Sequence, residues 1–221
     1  MVTHVQGAGS ETPSGSSGAV TLNGITAGNL IVVFVRWESG DATPSVSDGT
    51  TTFTAGTKKF QSPLYGQYFY LLSANSGNKT ITATMGATRD WIHVFAVEFH
   101  ATGAWAFDTS AIDGGSGTTI NSGNINTTGT EEVVFGMYGT GGVGTTSSEQ
   151  INGVAATEDA TYSPTGNSSV WYRILSATFS GGAASATVAS QNWVCAVVAF
   201  KVPPAVTIPV LMHHYLHNMG W

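Results

Sequence analysis

Few side chains in this sequence have the type and spacing to do chemistry, and an aromatic one comes first. Trp37 closes an apolar run, with Arg36 and Glu38 on either side and Asp41 just beyond. An indole face beside a cation and carboxylates suits a sugar ring, the aromatic covering its C–H face and the polar groups its hydroxyls. Trp105, in Ala101-Thr102-Gly103-Ala104-Trp105, is a second candidate for the same task. Asp41 and Asp48 bracket a polar loop, and Asp108 and Asp113 bracket 109–112. Oxygen-rich loops at the ends of sandwiches hold calcium, so Asp41 and Asp48 are the metal candidates and Ca2+ the one cofactor they point to. Neither pair has the spacing of an EF-hand, and loop aspartates also serve as Asx-turns.

Catalytic patterns fail in turn. There is no Gly-x-Ser-x-Gly elbow for a nucleophile, and His93 and His100 lie on or beside a strand. His93 reads as a core histidine in the place that Cys195 fills later in the chain. Glu98 and Asp90 are a thin basis for paired-carboxylate work, since Phe200 answers Glu98 in the second half. His213 and His217 stand four apart with His214 between them, but no carboxylate follows Asp159 to orient a metal-binding imidazole. The chain is therefore expected not to be an enzyme.

Composition narrows the partners. Of 221 residues only 9% are charged, the net charge is −6, and Lys58-Lys59 is the only adjacent Lys/Arg pair. Nucleic acid, which needs clustered cations, is not an expected partner. Cys195 is the only cysteine, so no intrachain disulfide forms, and its apolar surroundings make it a small buried hydrophobe. No run approaches the roughly 18 apolar residues of a membrane helix, so no membrane is expected. Met1-Val2-Thr3-His4 opens with neither a basic segment nor an apolar run, and no secretory leader is expected.

The elements that must position these residues repeat. Leu30-Ile31-Val32-Val33-Phe34-Val35 is answered by Val133-Val134-Phe135-Gly136-Met137-Tyr138, and Tyr68-Phe69-Tyr70 by Trp171-Tyr172-Arg173. Trp91-Ile92-His93-Val94 is answered by Trp193-Val194-Cys195-Ala196, and Thr80-Ile81-Thr82-Ala83-Thr84 by Ser185-Ala186-Thr187-Val188-Ala189. Val, Thr, Tyr, Phe and Trp fill these segments, and Gly, Asn, Ser and Pro separate them. The reading is all-β: a two-sheet antiparallel sandwich, jelly-roll-like, built from two similar four-strand halves. Residues 1–16 read as an N-terminal arm and 17–202 as the sandwich, with the repeat at 17–101 and 131–202. Residues 203–221 form a Pro-containing linker and an apolar tail. Two separate domains are the alternative.

Several strands are apolar on both faces, 29–35, 90–99 and 192–201 among them, so something must cover their outer side. The cover is either the 102–130 bridge with a terminal arm, or a neighbouring subunit. The tail offers Leu211, Met212, Tyr215, Leu216 and Trp221 as anchor residues for another subunit or a larger assembly.

Three stretches carry a resemblance: Gly28-Asn29-Leu30-Ile31-Val32-Val33-Phe34-Val35-Arg36-Trp37, the turn Val46-Ser47-Asp48, and the closing strand with Ala199-Phe200-Lys201. Over 17–202 the chain resembles β-sandwich modules of tailed-phage accessory proteins and bacterial surface proteins. The resemblance implies a structural or adhesive role and transfers no functional residues. The expected function is a virion structural protein made in the host cytoplasm, a capsid decoration (cement) protein or a head or tail fibre subunit. It would assemble with itself and with a larger shell such as a capsid. A carbohydrate-binding or adhesion module at a cell surface is the alternative, and a self-assembling extracellular filament or surface layer the third.

Overall fold

Each half of the chain builds one antiparallel sheet. The computed structural model describes residues 1–142, 146–160 and 168–204. The first half contributes β1 (Thr3–Ile25), β2 (Leu30–Glu38), β3 (Ser45–Ser47), β4 (Thr54–Gln61), β5 (Leu64–Leu71) and β6 (Gly77–His100). They run in the order β1-β6-β2-β5-β4, with β3 also on β6. The second half contributes β7 (Ala106–Asn121), β8 (Glu132–Thr140), β9 (Ser147–Ile151), β10 (Val154–Ala155), β11 (Thr157–Ala160), β12 (Ser168–Leu175) and β13 (Ala184–Lys201). Their order is β10-β9-β13-β8-β12-β11, with β7 on the other side of β13. The molecule is thus an all-β, two-sheet antiparallel sandwich of two similar halves.

Strand alternation sorts the apolar side chains into three layers. Leu30, Val32, Phe34, Phe95, Val97 and Phe99 of the first sheet meet Val133, Phe135, Met137, Val194, Val198 and Phe200 of the second in one shared core. The intervening residues Ile31, Val33, Val35, Ile92 and Val94 face outward, yet they are buried too. Their counterparts Val134, Cys195, Val197 and Ala199 do the same on the far side.

The outer faces are covered by the chain itself. β1 and β6 are longer than the sheet is wide, and past a register shift between Gly15 and Ser17 their ladder bends over. There Val20, Leu22, Ile81, Ala83 and Met85, with Val46 of β3, form a lid on the first sheet. In the second half β13 shifts register between Thr187 and Gln191, and Ile120, Ile125, Ile151, Ala184 and Ala186 make the equivalent lid. The segment at Thr80-Ile81-Thr82 and the strand 90–99 are therefore one strand, as are the segment at Ala186-Thr187-Val188 and the strand 192–201. Stretches that look like turns are bends at register shifts within continuous strands. A neighbouring subunit is not what buries these two faces. Residues 3–15 likewise belong to the first sheet, paired along β6 from His100 to Arg89, instead of forming a separate arm.

The register also corrects the repeat. Leu30 pairs with Phe99 and Val133 with Phe200, so Phe99 and Phe200 hold equivalent places. Glu98 then matches Ala199, His93 matches Val194, and Trp193 matches Ile92. Aligning the tryptophans by type slips the second ladder by one residue, which exchanges the two faces.

Candidate functional site

Trp37 and Arg36 are neighbours on a strand and point to opposite faces. Trp37 is fully buried under the first lid, stacked on Tyr65 at 5.3 Å, with Nε1 donating to the Gly40 carbonyl at 3.1 Å. Arg36 faces the other sheet and is 1% exposed. Trp105 is buried in the shared core. Neither indole offers a face to a sugar, so the expected Trp37–Arg36–Glu38–Trp105 glycan site is withdrawn. The calcium candidates fare similarly. The exposed Asp41 carboxylate binds the Lys58 ammonium, which holds it below the usual carboxylate range. Asp48 accepts Thr50 N at 2.9 Å, Thr51 N at 2.6 Å and Thr50 Oγ1 at 2.8 Å, an Asx-turn. Among the described residues no three His, Cys, Asp or Glu side chains gather as a metal site would need. The anchor residues Leu211, Met212, Tyr215, Leu216 and Trp221 and the tail histidines lie outside the described residues.

Two polar clusters occupy the lower end of the sandwich. Glu98, fully buried, accepts Asn29 Nδ2 at 2.6 Å, Gln6 Nε2 at 2.5 Å and the Thr26 amide at 3.1 Å. Its lone pairs are taken by its own chain, a structural role that tethers β1, β2 and β6. In the second half, Asp108 accepts Lys201 Nζ and the Thr128 amide, each at 2.7 Å, together with the Thr128 hydroxyl. Burial pushes that carboxyl up, but these donors and the neighbouring Glu132 outweigh it and hold it at about 2. Glu132, the first residue of β8 and fully buried, takes the opposite course. Burial, then the Asp108 carboxylate beside it, pushes it up to about 8. One of the two keeps a proton at neutral pH. An open groove alongside, lined in part by Thr102, Ala104, Gly129, Glu131 and Lys201, is where the chain passes Pro203 and Pro204.

The upper end is organised by Arg36. Its Nη1 donates to the Trp91 carbonyl at 3.0 Å, and its Nη2 donates to the Thr140 carbonyl of the other half at 2.7 Å and to Glu38. Gly139 makes room, since a methyl there would stand 2.5 Å from Arg36 Cγ. Burial lowers the guanidinium from its ordinary value, with Glu38 and Glu11 opposing. His93, also fully buried, is held at about 3 by burial and then by Arg36, so the imidazole is neutral. Its Nε2 lies 3.3 Å from Glu11. Asn192 Nδ2 donating to the Ser62 carbonyl at 2.7 Å, and Lys59 paired with Asp113 at 2.7 Å, are further ties between the halves.

One residue at this end escapes sequence reading. Between the pairs Arg36–His93 and Glu38–Asp90 the β6 strand carries one residue more than β2, and Trp91 falls in that bulge. Its φ is 51°, and it is 42% exposed. A left-handed aromatic is a genuine outlier that costs on the order of 1–3 kcal/mol. Trp193 in the second half sits in a regular pair with Thr140 and is 7% exposed. Matching Trp91 to Trp193 in the repeat hides this difference. The available signal was that aligning Phe99 with Phe200 leaves Trp91 with no partner in the repeat.

Cys195 is buried, as its surroundings require, and burial pushes its thiol up. No helix among the described residues is long and apolar enough to cross a membrane. No family model matches the chain, and a search of curated proteins finds no match.

Proposed function

We propose that this protein is a non-enzymatic structural subunit of a virion, made in the host cytoplasm, either a capsid decoration protein or a head or tail fibre subunit. It assembles with copies of itself and with a larger protein shell. The observation that supports this is the self-sufficiency of the body. Both outer faces are covered from within, the two halves share one core, and polar ties brace its two ends. Assembly through bare strand faces is thereby set aside. The apolar segment that the sequence offers a partner is 210–221, with Leu211, Met212, Tyr215, Leu216 and Trp221, a few residues after Pro203 and Pro204 at the lower-end groove.

The test is the solution mass of the full chain and of residues 1–202, by light scattering after size exclusion, with circular dichroism as the check on folding. A multimer that becomes a folded monomer on truncation supports the reading. A truncated chain that assembles like the full one, or a monomeric full chain, refutes self-assembly through the tail. Carbohydrate binding is the second reading, and one observation favours it: the exposed Trp91 held in a left-handed bulge.

A further inference from the structure

We infer that Trp91 is the platform of a saccharide-binding site at the upper end of the sandwich, formed by the β6 bulge and the loop after β2. The inference rests on the carbohydrate reading and is independent of assembly through the tail. A single exposed apolar side chain is ordinary on a protein surface. A tryptophan exposed by a backbone that disfavours it is not, and the equivalent ladder of the other half runs without a bulge. The strain is maintained by dedicated bonds. Arg36 grips the Trp91 carbonyl from below, and Ser39, itself at φ 64°, donates its hydroxyl to Asp90 Oδ2 at 2.5 Å. Pro13 of β1 lies across the strand pair between the partners of Ile92 and Asp90, and having no amide hydrogen it donates nothing to the ladder there.

Next to Trp91 in the chain, and joined to its neighbour Asp90 across the ladder, are groups that match hydroxyls. Asp90 offers acceptor oxygens, and Ser39 an exposed hydroxyl. Arg89 donates to the Thr88 carbonyl at 2.7 Å and to the Asp41 carbonyl, which fixes its guanidinium at the edge of the loop after β2. Gly40 lies over the Arg89 guanidinium, where a methyl would stand 3.8 Å from Cζ. Charge balance selects the ligand class. Glu38 is neutralised by Arg36 and Asp41 by Lys58, and Arg89 stands next to Asp90, so the rim has little net field for a cation. A neutral pyranose, with its C–H face on the ring and its hydroxyls on this mixed rim, uses both features.

The experiment is affinity electrophoresis of the full chain through gels containing soluble α-glucan, β-glucan, mannan, galactan or xylan, with Trp91→Gly and Trp91→Tyr beside the wild type. Glycine takes the left-handed conformation without penalty, so Trp91→Gly should unfold at the same temperature or higher. At least one polysaccharide should retard the wild type, Trp91→Gly should lose retardation at least tenfold, and Trp91→Tyr should keep part of it. Wild-type retardation that survives in Trp91→Gly overturns the site while leaving carbohydrate binding in place. If none of the five retards the wild type, the carbohydrate reading falls together with the site.

Discussion

Replacing Glu132 with Gln removes a proton that the folded protein holds and the unfolded chain releases. In the folded state this carboxyl titrates at about 8, raised by burial and by Asp108. In the unfolded chain it returns to about 4.3. Between those values the native state binds the extra proton, so stability is intact at or below the unfolded value and falls as pH rises through the interval. It levels off above the folded value. The slope is about 1.4 kcal/mol per pH unit, which from pH 5 to pH 8 sums to about 4 kcal/mol. Glu132 is the first residue of its strand, where local relaxation and water penetration ease the ionised form, so an expected effect of about 2–4 kcal/mol allows for that. Urea denaturation followed by tryptophan fluorescence, at unit steps from pH 5 to pH 9, gives the two stability curves. The wild type and Glu132→Gln should agree within about 1 kcal/mol at pH 5, since glutamine has the shape of the protonated acid. The variant should then be the more stable by about 2–4 kcal/mol at pH 8–9. His93, held at about 3, and Asp108, at about 2, change their own charge on the acid side and drop out of the difference over this range. Parallel curves from pH 5 to pH 9 would refute the shared-proton pair.

Arg36→Met should destabilise the fold by about 3–5 kcal/mol, because it leaves the Thr140 and Trp91 carbonyls and Glu38 without their buried donor. Arg36→Lys should recover little, since one ammonium cannot reproduce the fork that reaches both halves; equal midpoints for Arg36→Lys and wild type would contradict this. Gly136→Ala should cost about 1–3 kcal/mol by overpacking, as its methyl would fall 2.3 Å from Cε2 of the fully buried Trp171. An unchanged urea midpoint for that variant would mean that the Trp171 ring moves aside freely.

The fold class and the existence of a repeat were legible because alternation and turn residues report on short range. The doubly apolar strands correctly announced covered outer faces. What covers them was not legible, because bends at Gly15–Ser17 and Thr187–Gln191 continue a ladder, while their composition is that of a turn. The candidate site failed for a different reason. Trp37 and Arg36 looked like one cluster, yet strand geometry sends adjacent side chains to opposite faces, one under a lid and one between the sheets. Trp91 was missed because a bulge shifts register by one residue without leaving a compositional mark, and matching tryptophan to tryptophan concealed it. The Asp108–Glu132 pair had no local signal, since it depends on β7 and β8 flanking Lys201 of β13 from opposite sides.

The meeting of Arg36 with Gly139 has a consequence for how such a molecule arises. Residues 36 and 139 hold the same place in the two ladders, each opposite its equivalent partner, His93 or Val194. They also face each other across the shared core. In a symmetric dimer of single halves the two occupants of this place would be identical. Two arginines would set cation against cation in a dry contact, and two glycines would leave an unfilled space. Covalent linkage of the copies lifts that identity, so one copy supplies the large charged side chain and the other the absence that receives it. The bond between the halves is therefore one that two identical copies cannot form, while two unlike halves joined in one chain can.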